Sequence, residues 1–242
     1  MVVSTFTHEK ADQMSDSALS LKLQMDSIYA FQRHIYDASR KHYLLGRDRL
    51  INDLAPPHNG RVLELGCGTG RNLILAAKRH ENADFYGIDI SHEMLKTAAK
   101  HIDKHQLSER IQIRQGDATD FSAHALFGVE KFDRIYISYS LSMIPDWQGT
   151  LEQAVKHLSD KGSIHIVDFG QQSKLPKLFK SILVWWLKIF HVTPRANLFE
   201  FVSHLAGSNN RNIEFRELYK DYSHYCVIGP KRLSQVDTKK AA

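Results

Sequence analysis

The sequence predicts an α/β protein with a doubly wound, mostly parallel sheet, and three observations support this prediction. First, short apolar segments of strand length alternate with segments of helical periodicity between residues 61 and 168. This alternation is typical of parallel strands joined by right-handed crossover helices, which cover both faces of the sheet. Second, residues 213–218 and 222–228 have the pattern of a closing antiparallel hairpin. Third, the chain has 242 residues and is 43% hydrophobic, so it can bury the core of one such domain.

The predicted elements follow one another along the chain. Residues 15–54 have a helical pattern with breaks near Tyr36-Asp37 and at Gly46, and Pro56 and Pro57 stop any helix. Strands are predicted at residues 61–65, 85–88, 111–115, 134–139 and 163–168, and helices at residues 71–80, 93–104 and 151–158. We therefore expect a helical cap over residues 1–57, the α/β domain over residues 58–230 with a helical insertion at 173–207, and a flexible tail over 231–242.

Composition limits the possible partners and surroundings of the chain. The formal net charge of +5 favours an anionic partner such as a phosphate, a nucleic acid or a membrane surface, although a mildly basic protein needs no such partner. Two cysteines, Cys67 and Cys226, cannot build a disulfide framework, and without a CxxC pair we expect no metal site. We find neither a secretory signal nor an uncharged apolar stretch of about 18 residues. We therefore expect a cytoplasmic protein that can associate peripherally with the inner face of the membrane.

A glycine-rich turn follows the first predicted strand of the α/β domain. Gly66, Gly68 and Gly70 come directly after an apolar strand and directly before a helix. Glycine lets the backbone turn tightly and approach a ligand where a Cβ atom would collide. Dinucleotide-binding folds use a similar turn, but the GxGxG spacing here, instead of GxGxxG, argues against a pyrophosphate ligand.

Carboxylates lie at or after the ends of three successive strands. Asp89 ends the second strand, nineteen residues after Gly70, where it can accept hydrogen bonds from both ribose hydroxyls of a nucleoside. Asp117 follows the third strand and can accept from an adenine amine. Glu64 lies within the glycine motif, where it can help to fix an ammonium group of the ligand. A single carboxylate is most often a solvated surface acid. Three together favour a ligand site, because open sheets bind ligands at the carboxyl ends of their strands.

Three of these segments resemble the class I S-adenosylmethionine-dependent methyltransferases at the characteristic positions of that family. The segments are VLELGCGTG, YGIDIS and GDAT, and the resemblance covers roughly residues 61–168. It implies a Rossmann-like seven-stranded sheet with S-adenosylmethionine as methyl donor. It also implies that the cofactor is lined by Glu64, Gly66, Gly68, Asp89, Ile90, Met94, Asp117 and Ala118. The family places residues beside the transferred methyl at the end of the fourth strand, here residues 137–142, and this chain lacks the Asn/Asp-Pro-Pro-Tyr motif of its amide-methylating members.

The N-terminal flank carries an aromatic pattern. Tyr29, Tyr36 and Tyr43 are seven residues apart, so they share roughly one helical face. They form either a packing stripe that caps the sheet or an aromatic wall over the cofactor, where tyrosine faces attract methylated ammonium groups. Tyr36 and Tyr139 are our candidates for catalytic side chains that orient an amine beside the sulfonium. Proton acceptance by His34 or His42 is a weaker alternative.

The second flank, residues 173–195, combines apolar and basic residues. Between Lys174 and Arg195 there are five Lys or Arg residues and no acidic residue, which equals the net excess charge of the whole chain. Trp185 and Trp186, with Lys177 and Lys180 nearby, favour an interfacial helix whose apolar side enters the lipid and whose cations contact anionic headgroups. The alternative is a lid or dimer helix that buries the tryptophans against protein. Since the basic charge is local, we expect no nucleic-acid partner.

A closer resemblance involves residues outside the core. Residues 32–37, 40–51 and 190–195 look like segments of the bacterial N-methyltransferases of betaine-lipid synthesis. This resemblance implies three methyl transfers onto the amine of diacylglyceryl-homoserine, with a lipid substrate that carries an amine headgroup and an anionic membrane surface as partners. No oligomeric state is predicted. Two alternatives remain: a soluble enzyme that methylates a small molecule such as a quinone precursor or an amine, and a non-catalytic cofactor-binding or RNA-associated module.

Overall fold

A computed structural model describes residues 44–231 of the chain. The strands are β1 (Gly60–Leu65), β2 (Ala83–Asp89), β3 (Ile111–Gln115), β4 (Phe132–Ser138), β5 (Leu158–Phe169), β6 (Arg211–Leu218) and β7 (Ser223–Lys231). The helices of the described residues are α1 (Arg47–Asp53), α2 (Arg71–Arg79), α3 (His92–Lys104), α4 (Ala123–Phe127), α5 (Trp147–Lys156), α6 (Lys177–Ile189) and α7 (Leu198–Ser208).

The seven strands form one sheet in the order β3-β2-β1-β4-β5-β7-β6. Strands β1 to β5 pair in parallel, whereas β7 runs antiparallel between β5 and β6. The predicted seven-stranded, mostly parallel Rossmann-like sheet with a closing hairpin is therefore confirmed. Because β1 to β5 are parallel, their carboxyl ends lie at one edge of the sheet, where such folds bind ligands.

The core consists of two clusters, and alternate residues of each strand belong to different clusters. In β1, Val62 belongs to one cluster and Leu63 and Leu65 to the other, and all three side chains are fully buried. Burial on both faces explains why the central strands are nearly continuous apolar segments instead of alternating ones. The helices around them are amphipathic; in α2, for example, Leu73 and Ile74 are buried.

The ends of several elements differ from the prediction. Tyr139, predicted within the fourth strand, lies just beyond it, because its backbone is left-handed at φ 57°. Leu158, predicted to end a helix, is the first residue of β5 and pairs with Phe132, so the helix ends earlier, at Lys156. An apolar residue directly after a helix fits both the helical and the strand pattern of apolar residues. The sequence pattern alone therefore could not assign Leu158 to the helix or to the strand. Lys231, predicted to begin the tail, is the last residue of β7 and pairs with Asp160 at 2.7 Å.

The structure also resolves parts of both predicted flanks. Helix α1 begins directly after Gly46, as the predicted break requires, and the 173–207 insertion contains α6 and most of α7. Most of the predicted cap and tail, with Tyr29, Tyr36, Tyr43, His34 and His42, lies outside the described residues. Within residues 44–231, no helix combines the length and the apolar character that crossing a membrane requires.

Candidate active site

The glycine turn lies at the carboxyl end of β1 and has an unusual backbone. Gly66, Gly68 and Gly70 have φ angles of 72°, 52° and 74°, which lie in the left-handed region that favours glycine. A Cβ atom at Gly66 would lie only 2.7 Å from the Cβ of Ser140, in the loop after β4. The amides of Gly66 and Cys67 donate to the carbonyl oxygen of Ile88 at 2.9 and 3.0 Å. The turn is therefore fixed between the ends of β2 and β4.

Asp89, at the end of β2, is held by two backbone amides. Its Oδ2 accepts from the amide of Gly68 at 2.7 Å, and its Oδ1 accepts from the amide of Ser91 at 2.9 Å. The carboxylate is half-buried beside the turn. Since each carboxylate oxygen has two lone pairs, it can still accept hydrogen bonds from the hydroxyls of a ligand.

A cavity of about 220 Å³ opens at this edge of the sheet. Most of the predicted cofactor-binding residues line it, from the glycine turn and the ends of β2 and β3. Those that line it are Gly66, Gly68, Asp89, Ile90, Met94, Asp117 and Ala118. Seven residues that were predicted from separate motifs thus line one cavity. Such an arrangement is needed if they bind the same ligand.

Asp117 forms the wall of the cavity beyond β3. Its Oδ1 accepts from both the amide and the hydroxyl of Thr119, at 2.8 and 2.7 Å, and Thr119 also lines the cavity. These two bonds orient an exposed carboxylate next to the buried Ala118. The geometry suits the predicted role of Asp117 as an acceptor for an exocyclic amine.

Glu64, the remaining predicted cofactor residue, does not line the cavity. It is fully buried and accepts hydrogen bonds from Asn72 Nδ2 at 2.8 Å and from the Tyr136 hydroxyl at 3.0 Å. Asn72 lines the cavity, so the Glu64 carboxyl stands behind it. Burial raises the pKa of the Glu64 carboxyl to about 8, although the bonds from Asn72 and Tyr136 and the charge of Arg47 oppose this effect. This shift favours the protonated form of Glu64 near neutral pH.

Arg47 and Asn72 line the cavity but were missed by the sequence analysis. Arg47 is the first residue of α1 and its side chain is only 6% exposed, with its Nε 3.7 Å from Asp48. A guanidinium in a cavity wall is suited to a ligand carboxylate. The break at Gly46 marked the start of this helix, but only the contact of α1 with α2 brings Arg47 to the glycine turn.

Tyr139, which was predicted to orient an amine, lines the cavity, but only 2% of its surface is exposed. Its hydroxyl donates to the carbonyl oxygen of Leu45, and its ring packs edge-on against Phe169 with centroids 4.7 Å apart. Burial raises the pKa of this phenol well above its ordinary value, so it does not act as a base near neutral pH. Contact with a substrate amine stays a prediction for Tyr139 and for Tyr36.

The loop after β4, residues 140–146, forms the remaining wall of the cavity. Met143, Ile144 and Pro145 give this wall an apolar character. The Ser140 hydroxyl donates to the carbonyl oxygen of Leu65 at 3.0 Å, and Asp146 caps α5 by accepting from the amide of Gly149 at 2.9 Å. The cavity therefore has polar groups near β1 to β3 and an apolar wall beside β4.

Helix α6 places the two neighbouring tryptophans in different environments. Trp185 is 64% exposed, whereas Trp186 is partly buried with its ring centroid 4.5 Å from that of Phe190. Lys177 is exposed and Lys180 is half-buried. Of the four residues predicted for membrane contact, Trp185 and Lys177 are thus the most accessible.

Comparison with known proteins identifies the class of the chain. A protein-family model described as "Methyltransferase domain" matches residues 57–209. This chain therefore belongs to the methyltransferase domain family, which confirms the predicted enzyme class. The plantazolicin methyltransferase BpumL, solved in complex with SAH, has a similar fold with a TM-score of 0.64 and 16% identity, covering 90% of this chain and all of that one.

Two curated relatives have more specific names. A demethylmenaquinone methyltransferase of Lactobacillus johnsonii is 32% identical over 111 residues, which are 46% of this chain and 44% of the relative. A phosphatidylethanolamine N-methyltransferase of Cereibacter sphaeroides is 32% identical over 117 residues, which are 48% of this chain and 54% of the relative. The matches span about half the length of these relatives.

The two bonds that Asp89 accepts give a first prediction. The substitution Asp89→Asn leaves only one oxygen to accept from the amides of Gly68 and Ser91, so both the turn and the ligand contacts weaken. We expect the Kd for S-adenosylmethionine to rise about 10- to 100-fold in isothermal titration calorimetry, since hydrogen bonds to charged groups contribute about 1.5–3 kcal/mol. The exposed Asp84 of the same strand is the control, and Asp84→Asn should bind like the wild type. Equal affinity of the two variants would contradict the prediction.

The buried Glu64 gives a second prediction. Its pKa in the folded protein, about 8, lies above the ordinary value of 4.5, so the folded state keeps a proton that the unfolded chain loses between these pH values. The contribution of Glu64 to stability therefore falls as the pH rises through this window, by at most about 1.4 kcal/mol per pH unit. We expect the free energy of unfolding in urea to fall more steeply with pH in the wild type than in Glu64→Gln. If the free energy of unfolding changed with pH in the same way in the wild type and in Glu64→Gln, Glu64 would be ionised in the folded protein.

Proposed function

We propose that the protein is an S-adenosylmethionine-dependent N-methyltransferase that methylates the amine headgroup of a membrane lipid. The proposed substrate is diacylglyceryl-homoserine, whose threefold methylation gives a betaine lipid. The observation that carries the lipid assignment is the outward apolar face of α6, which is flanked by lysines. The identity of the headgroup is supported by the resemblance of residues 32–37, 40–51 and 190–195 to the enzymes of that pathway.

S-adenosylmethionine is the methyl donor that fits the cavity. Asp89 would hold the ribose hydroxyls, Asp117 the adenine amine, and Arg47 the carboxylate of the methionine portion. The three glycines of the left-handed turn have no Cβ atom, which lets the backbone come close to the ligand. Family membership and the SAH held by BpumL support this choice.

The residues of the cavity suit an in-line transfer to nitrogen. When bound, S-adenosylmethionine supplies a methyl group that is activated by a positively charged sulfur. The work of the chain is to align the amine with this group and to exclude water. Met143, Ile144 and Pro145 form an apolar wall, and apolar surroundings favour the neutral amine, whose lone pair is free to attack. Tyr36, with Tyr29 and Tyr43, stays the predicted aromatic partner for the methylated product.

The outward face of α6 suits insertion into a lipid surface. Leu178, Ile182, Trp185 and Ile189 are spaced by four, three and four residues, so they form one stripe along the helix. Their exposed fractions are 76%, 57%, 64% and 48%. On the opposite side, Leu183 and Leu187 are buried against the body of the protein. We call this stripe the docking face.

Charge supports an anionic surface as the partner of the docking face. Lys177 and Lys188 are exposed on α6, and helical spacing places both along one side of the docking face. No acidic residue occurs between Lys174 and Arg195. Each lysine near an anionic membrane contributes about 1 kcal/mol of attraction. Apolar insertion and cation–headgroup contact together characterise an interfacial helix.

The relatives support two substrates. The phosphatidylethanolamine N-methyltransferase supports a lipid amine, whereas the demethylmenaquinone methyltransferases support a quinone precursor as the second candidate. The docking face supports a substrate that resides in a membrane, and both candidates meet that condition. The choice of the lipid amine is supported by the resemblance of residues 32–37, 40–51 and 190–195. The absence of a nucleic-acid partner stays a prediction.

Product analysis tests the proposed reaction. The purified protein is incubated with methyl-labelled S-adenosylmethionine and vesicles that contain diacylglyceryl-homoserine, and parallel samples contain phosphatidylethanolamine or demethylmenaquinone. We expect mono-, di- and trimethylated homoserine lipid to appear in sequence, as chromatography and mass spectrometry can show. Label only in phosphatidylethanolamine would correct the headgroup, and label only in the quinone would overturn the N-methyltransferase assignment. Asp89→Asn is the control for cofactor-dependent labelling.

Vesicle binding tests the docking face. The double substitution Ile182→Ser with Trp185→Ser removes two apolar side chains from it, at a cost of about 2 kcal/mol or more in lipid affinity. We expect at least tenfold weaker co-sedimentation with phosphatidylglycerol vesicles, with no change in S-adenosylmethionine affinity. Leu75→Ser, which changes the 37%-exposed apolar residue of α2, is the matched control. Equal sedimentation of the double variant and the control would argue that α6 does not contact lipid.

A further inference from the structure

Four backbone groups of the cavity wall are held from outside the 140–146 loop. Asp168 Oδ2, in β5, accepts from the amide of Ser142 at 3.0 Å. The amide of Thr193 donates to the carbonyl oxygen of Ser142 at 2.8 Å. Arg195 donates through Nε to the carbonyl oxygen of Leu141 at 3.0 Å and through Nη2 to that of Ile144 at 2.7 Å. Three of these four bonds come from the segment directly after α6.

The segment between α6 and this wall, residues 190–195, is short and is anchored by one buried residue, Val192. The amide of Val192 donates to the carbonyl oxygen of Leu187 at 3.0 Å, which closes the C-terminal end of the helix. Leu187 and Val192 are 1% and 7% exposed and belong to the same apolar cluster as Tyr139. Val192 thus anchors the connection between the buried side of α6 and the 140–146 loop, while His191 and Thr193 on either side of it are exposed.

The other end of α6 is fixed to a different part of the sheet. Asp221, in the turn between β6 and β7, accepts from the amide and the hydroxyl of Ser173 at 2.9 and 2.6 Å. The amide of Gln172 donates to the carbonyl oxygen of Asp221 at 2.8 Å. Helix α6 is therefore held at both ends as well as by its buried Leu183 and Leu187. Of the hydrogen bonds named here, those of the C-terminal attachment reach the 140–146 loop.

We infer that Arg195 is a positioning residue that couples the docking face to the methyl-transfer cavity. When the docking face meets an anionic membrane, the segment 190–195 sets the position of the loop that lies beside the lipid amine and the methyl donor. Arg195 suits this role because its planar fork spans two carbonyl oxygens three residues apart, which a single lysine ammonium reproduces less well. This inference rests on the proposed function, since it assumes that α6 docks on lipid.

Coupling of this kind is reciprocal and can be measured without turnover. If membrane binding changes the affinity for a ligand in the cavity, that ligand changes the affinity for the membrane by the same factor. The experiment measures the Kd of S-adenosylhomocysteine with and without phosphatidylglycerol vesicles, and the Kd for vesicles with and without S-adenosylhomocysteine. We expect a change of at least threefold in the wild type. Arg195→Lys should keep both separate affinities within twofold and lose the coupling.

The matched control is Arg216→Lys, in which an exposed arginine of β6 that pairs with Glu214 is changed in the same way. This variant should show the coupling of the wild type. Vesicle binding without coupling in the wild type, or full coupling in Arg195→Lys, would overturn the role of Arg195 alone. Failure of the wild type to bind vesicles would overturn both the membrane assignment and this inference. If Arg195→Lys lost affinity for S-adenosylhomocysteine in the absence of vesicles, Arg195 would only hold the loop in place. This result would overturn the coupling role.

Discussion

The close approach of the glycine turn to the loop after β4 is the constraint on which the rest of the site depends. At Gly66 a Cβ atom would stand 2.7 Å from Ser140, so only glycine allows the ends of β1 and β4 to come this near. The same turn donates from Gly68 to Asp89, which ties in the end of β2. The cavity thus lies where three strand ends meet at a turn in which every second residue is glycine.

The site divides its chemistry between two sides. The side near β1 to β3 offers carboxylates and a guanidinium, which recognise a polar nucleoside and an amino-acid group. The side near β4 is apolar and continues through residues 190–195 to α6. The proposed reaction between a polar cofactor and a lipid-borne amine would use both sides. Burial of Glu64 behind Asn72 raises the pKa of its carboxyl and so disfavours a full negative charge in the core.

Local sequence spacing predicted the sheet, the glycine turn and the positions of Asp89 and Asp117, because these depend on which residue ends a strand. It could not predict Arg47 or Arg195, whose positions depend on contacts with α2 and with residues 141–144. Glu64 was expected in the cavity, and only the packing of Asn72 places it behind the wall. The tryptophans were alike in the sequence, since their difference in exposure depends on which side of α6 meets the body.

The lysines beside the docking face have a second consequence, which concerns solubility. A stripe of four exposed apolar side chains on a helix invites pairing with its own copy in water. When two such stripes approach, Lys177 and Lys188 of each copy bring like charges together, and this repulsion opposes self-association. The same charges are attracted to anionic headgroups. If the proposed docking face binds a membrane, the same lysines would thus favour contact with anionic lipid over contact with a second copy of the helix.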